Sequence, residues 1–140
     1  MWAVAGDGSG GEILHYNGSV WSSISTGFVL FSAFFGPSGS DVWAVGYDGA
    51  ILHYNGFTWS SVSSGTIQLL FGVWASSGAD VWAVGGANGM ILHYNGSTWS
   101  TVFSGATSPN FLTGIWGSSS SDVWAVGETG DTILHGTPAG

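Results

Sequence analysis

Apolar residues come along this chain in short blocks, each closed by Gly, Ser, Asn or Asp. From residue 69 to residue 103 the blocks read LLFGVWA, DVWAVG, MILHYN and TWSTVF, with SSGA, GANG and NGS at the breaks. Glycine recurs too often for any segment to sustain a 3.6-residue apolar stripe over ten residues, which rules against helix. The blocks are therefore predicted strands, here lettered A to D. The breaks supply the residues that tight turns need, either for positive φ or for side-chain bonds to the backbone. Asn-Gly ahead of the β-compatible STWS is the clearest hairpin signal in the chain. The B run, Val-Trp-Ala-Val, is apolar at consecutive positions. A sheet with one wet face would alternate, whereas a sheet covered front and back need not.

The same phrase returns. WAV begins at Trp2, Trp43, Trp82 and Trp124, in steps of 41, 39 and 42 residues, and ILH ends at His15, His53, His93 and His135. Four-stranded antiparallel sheets at a period of about forty residues, each buried on both faces, describe the blades of a β-propeller. The expected class is an all-β propeller segment forming a single domain over residues 1–140. Its units span residues 1–27 (partial), 28–65, 66–105 and 106–140 (partial). Reading the strands in order gives BCD, ABCD, ABCD and ABC, about three and a half blades. An open propeller leaves an apolar blade face in water and an unpaired edge. The expectation is a homo-oligomer, with a dimer closing the ring, or else a piece of a longer ring.

Charge narrows the partners. The chain has no Lys or Arg against 8 Asp and Glu, a formal charge of −8, so it has nothing with which to neutralise phosphates. Nucleic acid and anionic membranes are not expected partners. No apolar run approaches the ~18 residues of a membrane-spanning helix, and Met1 leads into WAVAG with no basic segment of the kind that opens a signal peptide. With 0 Cys there are no disulfides, thiolate metal sites or cysteine nucleophiles.

Alternating strand direction places A–B and C–D turns on one rim and B–C and D–A loops on the other. Asp41, Asp80 and Asp122 precede strand B at the same place in three units. Equivalent residues on adjacent blades lie too far apart to share one Ca²⁺, so these carboxylates are expected to accept from turn amides. The B–C loops carry Asp7, Glu12, Asp48, Glu128 and Asp131, while the third unit has GANG there and no acid. These loops are expected to be solvated. A histidine that recurs in register on strand C suits a hydrogen-bonded role at a blade edge better than catalysis, and no zinc spacing is present. Without Lys there is no phosphate-binding Walker loop, and no Gly-x-Ser-x-Gly elbow occurs. No catalytic residue, metal or cofactor is expected, and the chain is not expected to be an enzyme.

Binding is the function the inventory leaves open. Trp and Tyr join a flat apolar face to a polar edge, the surface that sugar rings favour. Candidate ligand residues are Tyr16, Asn17 and Trp21, then Tyr54, Asn55 and Trp59, then Tyr94, Asn95 and Trp99, one set at each YNG hairpin. Repeated shallow sites of this kind would gain avidity by number. The alternative is that the hairpin tryptophans only fill space between blades, leaving a structural or protein-interaction propeller.

The phrase SSSSDVWAVGETGDTILH (residues 118–135), with ILHYNGSTW before it, resembles repeats of secreted bacterial β-propellers related to Asp-box (sialidase-type) and photosystem-assembly-factor-like blades. The resemblance covers essentially the whole chain. The Asp box has the form Ser-x-Asp-x-Gly-x-Thr-Trp, and here Gly96, Thr98 and Trp99 match while Leu92 and Tyr94 stand at its Ser and Asp. The resemblance implies the fold, an extracellular or cell-surface setting, and a box that is a structural turn. Sialidase chemistry is not carried over, since those enzymes hold their substrate carboxylate with arginines.

Overall fold

A computed structural model describes residues 1–6, 9–35, 39–104, 111–128 and 133–136. Among these, the apolar blocks become strands: β1 (Trp2–Gly6), β2 (Gly11–Tyr16), β3 (Trp21–Ser25), β4 (Leu30–Phe35), β5 (Val42–Gly46), β6 (Ile51–Tyr54) and β7 (Trp59–Val62). They continue with β8 (Leu70–Ser77), β9 (Asp80–Gly85), β10 (Met90–Tyr94), β11 (Trp99–Phe103), β12 (Leu112–Ser119), β13 (Asp122–Gly127) and β14 (Ile133–Gly136). They form four antiparallel sheets, ordered β1-β2-β3, β4-β5-β6-β7, β8-β9-β10-β11 and β12-β13-β14. Sequential strands are neighbours in every sheet, so each sheet is a meander joined by the turns its Gly and Asn residues predict. The expectation of an all-β, antiparallel chain is met.

The sheets stack face to face in chain order. The A-type strands β4, β8 and β12 lie against one another, and β1 lies against β4. Each A-type strand carries a register shift near its start, at Leu30/Ser32, Leu70/Gly72 and Leu112/Gly114. A bulge adds local twist, and twist lets successive sheets fan out from a common line instead of lying flat. One core cluster joins the first and second sheets through Trp2, Ile13, Val42, Ala44 and Leu52. A second joins the next pair of sheets through Trp43, Ile51, Val73, Leu92 and Trp99.

Burial follows the number of covered faces. In β5 and β9 the residues from Val42 to Gly46 and from Val81 to Gly85 are buried without exception. Strand β13 has the same sequence as β9, DVWAVG, yet Trp124 and Val126 are 40% and 44% exposed. Sequence being equal, the difference is the neighbour: β9 has a sheet on each face and β13 has one. The outer strand β3 is exposed throughout.

Glycine closes the B strands for a steric reason. A Cβ on Gly46 would stand 2.0 Å from the Val29 carbonyl oxygen, and one on Gly85 2.0 Å from that of Leu69. Both glycines sit where the chain entering the sheet at its inner edge crosses the end of the next strand, and no side chain fits. Gly85→Ala is expected to cost about 2 kcal/mol of stability, as an overpacked site does. Gly10→Ala, where a Cβ meets nothing within 4 Å, should change stability by no more than about 0.5 kcal/mol. Urea unfolding midpoints compare the two, and equal midpoints would remove the close-approach argument.

Candidate functional site

Within each sheet the B strand and the C strand build one polar cluster. Residues two apart on a strand share a face, so Asp80 and Trp82 project together, and the ladder sets His93 opposite Trp82. The indole and imidazole stack with centroids 4.1 Å apart, and His93 Nε2 lies 2.7 Å from Asp80 Oδ1. Trp82 Nε1 donates to the same Oδ1 at 3.1 Å, while Ser76 Oγ donates to Oδ2. The fourth sheet repeats this with Asp122, Trp124, His135 and Ser118, the His–Asp distance being 2.8 Å and the indole bond 2.9 Å. In the second sheet His53 pairs with Asp41 at 2.7 Å and stacks on Trp43 at 4.0 Å. In the first, His15 stacks on Trp2 at 4.0 Å. In three of the four sheets the recurring histidine is thus a hydrogen-bonded residue, as its register implied. The aspartates differ from expectation: they accept from side chains. The turn amides of Ala79 and Ser121 find the Ser77 and Ser119 hydroxyls instead.

Ser118, and after it His135, hold the Asp122 carboxyl below its ordinary value of 3.8. Among the described residues no three His, Cys, Asp or Glu side chains come together as a metal-binding group. Asp48 and Glu128 are exposed on separate B–C loops, whereas Glu12, also exposed, lies within β2, paired with Ala5 and Ser25, and not on the loop where the sequence placed it. Asp48 occupies a left-handed position, φ 53°, in the short 3-10 turn Tyr47–Gly49. Asp7 and Asp131 lie outside the described residues.

The three YNG hairpins share one geometry. Asn17 Oδ1 accepts the amides of Ser19 and Val20, Asn55 Oδ1 those of Phe57 and Thr58, and Asn95 Oδ1 those of Ser97 and Thr98. These are Asx turns, and they engage the oxygen that a ligand contact through Oδ1 would use. The Tyr16 and Tyr54 hydroxyls donate to the Gly18 and Gly56 carbonyls, each at 2.9 Å. Tyrosine and tryptophan meet across each hairpin at 5.3 to 5.5 Å, in the pairs Tyr16–Trp21, Tyr54–Trp59 and Tyr94–Trp99.

What those pairs do is cover the tryptophan of the preceding sheet. Trp2 lies 4.8 Å from Tyr54 and 5.5 Å, edge-on, from Trp59. Trp43 lies 5.0 Å from Tyr94 and 5.7 Å from Trp99. Trp99 is buried, and Trp43 is 1% exposed. The Nε1 atoms of Trp43, Trp59 and Trp99 are buried with no hydrogen-bond partner, a cost of about 1–3 kcal/mol each that ring burial must outweigh. The third pair, Tyr16–Trp21, covers no tryptophan among the described residues, and Trp21 is 52% exposed. The sequence motif marked all nine hairpin residues alike; only the sheet order separates one open pair from two closed ones.

No protein-family model and no curated protein matches the chain. Among solved structures it is similar to one described as YCF48 bound to D1 peptide, with a TM-score of 0.72 and 20% sequence identity over 96% of this chain. The fold is that of a β-propeller. The chain spans about half the length of that neighbour, 47%. The likeness agrees with the photosystem-assembly-factor side of the resemblance drawn from the sequence, and the Asp-box side gains no match.

Trp99→Ala is expected to cost about 3–5 kcal/mol, the range for emptying an aromatic site, while Trp21→Ala should stay within about 1 kcal/mol. Denaturant unfolding of the two variants measures the contrast. Because the folded pKa of Asp122 is lowered, its contribution to stability is present above the ordinary value of 3.8 and is lost as pH falls through the folded value. Carboxyl NMR titration should show Asp122 moving up towards 3.8 in Ser118→Ala. An unmoved titration would detach the shift from the serine.

Proposed function

We propose that the chain is a non-enzymatic scaffold propeller whose partner is a second copy of itself, one copy's first sheet seating on the other's last. The observation that carries this reading is the pair of complementary unfilled ends. Among the described residues, Trp124 at one end is 40% exposed with no Tyr–Trp pair over it, and at the other the Tyr16–Trp21 pair has no tryptophan beneath it. Both halves of the Trp2/Tyr54/Trp59 contact are present, on opposite ends of one molecule. Trp116 and Val126 extend the apolar surface at the last sheet, and Ile24 extends it at the first.

The neighbour's length supports the same reading, since two chains of this size approach the extent of the YCF48 chain. Its bound D1 peptide supports protein recognition as a use of this fold. Two copies joined head to tail would place eight sheets in a ring by a two-fold axis, with both ends closed. The absence of Lys, Arg and Cys from the inventory supports a role without catalysis.

Glycan recognition is the second reading. Its support is confined to one hairpin, where Tyr16 and the exposed Trp21 present aromatic faces to solvent. On that reading sugars change the fluorescence of the wild type and leave Trp21→Ala unchanged, with no effect on assembly.

Light scattering on a sizing column tests the leading reading. The expected mass is twice 14.4 kDa, falling to 14.4 kDa in Trp21→Ser and in Trp124→Ser. Mixing those two variants should restore a dimer, because one of its two joints keeps both aromatic halves. A folded wild-type monomer, or variants that remain dimeric, would overturn it.

A further inference from the structure

Trp82, the third of the B-strand tryptophans, is only 8% exposed, and it lacks a Tyr–Trp pair for a different reason from Trp124. A sheet does stand against it, the one formed by β12, β13 and β14. In the two preceding junctions the covering residues come from the C strand (Tyr54, Tyr94) and from the D strand paired with it (Trp59, Trp99). In the last sheet the residue after His135 is Gly136, where the others have tyrosine. Among the described residues no strand pairs with the outer edge of β14. The outcome is a cavity of about 510 Å³ with Trp82 as its floor and Ile91, Phe103, Val123 and Leu134 on its walls.

We infer that this cavity is a peptide-binding groove that takes an extended, tryptophan-bearing segment of another polypeptide as the fourth strand of the last sheet. The register names the residue. Tyr16 pairs with Trp21, Tyr54 with Trp59 and Tyr94 with Trp99, so an added strand sets its tryptophan opposite Gly136 and over Trp82. The open edge of β14 supplies the backbone bonds, and Ile133, 64% exposed there, supplies apolar surface beyond the groove. Gly136 leaves the entrance clear: a Cβ there would meet nothing within 4 Å. The groove continues, in the same sheet-to-sheet arrangement, a contact already formed twice inside the molecule.

Electrostatics restricts the segment further. His93 and His135 line the groove and each is held by a carboxylate, and the chain carries a formal charge of −8 with no Lys or Arg. An acidic peptide is repelled, and a neutral or basic one is favoured. A second copy of this chain does not supply the strand, since β3, β7 and β11 are each paired within their own sheets.

The test uses a dye-labelled synthetic copy of residues 97–104, STWSTVFS, added to the full chain carrying Trp21→Ser, which is remote from the groove and blocks the joint proposed above. Failure of one reading then leaves the other standing. Fluorescence anisotropy should saturate with a Kd in the micromolar range, and the peptide with Ala in place of its Trp should bind at least about tenfold more weakly. Hydrogen exchange should show new protection of the backbone amides within Ile133–Gly136. No saturation up to ~1 mM, equal binding of the Ala peptide, or protection confined to other strands would each overturn the assignment.

Discussion

Every sheet of this protein carries on its B strand (β1, β5, β9 and β13) a tryptophan that its own neighbours in the sheet cannot cover. Histidine closes one face of the indole and a carboxylate lies beside it in three of the four sheets, but the other face requires aromatic residues from the sheet that follows. This single requirement explains why the unit repeats and why sheets stack in chain order. It also explains why identical DVWAVG segments are fully enclosed in one sheet and half open in another. A sheet of this composition is stable only in company, which is the usual energetic condition of repeat architectures.

The polar part of the design is economical in charge. With no Lys or Arg available, the aspartates ahead of the B strands take imidazole, indole and hydroxyl donors. Three His–Asp pairs are partly exposed, and they sit where the stacked His–Trp faces meet the rim. They orient the imidazole flat on the indole. The surfaces proposed for binding lie where the aromatic pattern stops short, at both end faces and in the groove above Trp82, and not at any of these carboxylates.

Much of the fold was legible because its signals are local. Gly, Ser and Asn mark the turns, uninterrupted apolar B runs mark two-sided burial, and the return of one phrase marks a repeated antiparallel sheet. The site was less legible because it depends on pairing. Asp80 and His93 are thirteen residues apart, and nothing in either residue announces the other until the β9–β10 register is known. Alternation does place Asp80 and Trp82 on one face, and that was the usable clue. The YNG hairpins looked like three equal sugar platforms, since Tyr, Asn and Trp are the right chemistry. Their asparagines engage turn amides, and two of the three aromatic pairs are spent on the preceding sheet. Which pair stays open is set by sheet order, a property no single hairpin contains.

The indoles themselves differ with their surroundings in one telling respect. Beneath a Tyr–Trp pair the ring has left its aspartate: Trp43 Nε1 has no partner, although Asp41 precedes it as Asp80 precedes Trp82. Without such a pair, Trp82 and Trp124 each keep a bond to the carboxylate two residues before. Covering Trp124 in the proposed joint would therefore exchange a hydrogen bond to a charged group for burial of the ring. The lost bond opposes the gain from burial, so the proposed joint would be a clasp and not a weld. Such a joint would stay shut when copies are crowded and let go on dilution, and in the single chain the Trp124 indole keeps its bond to Asp122.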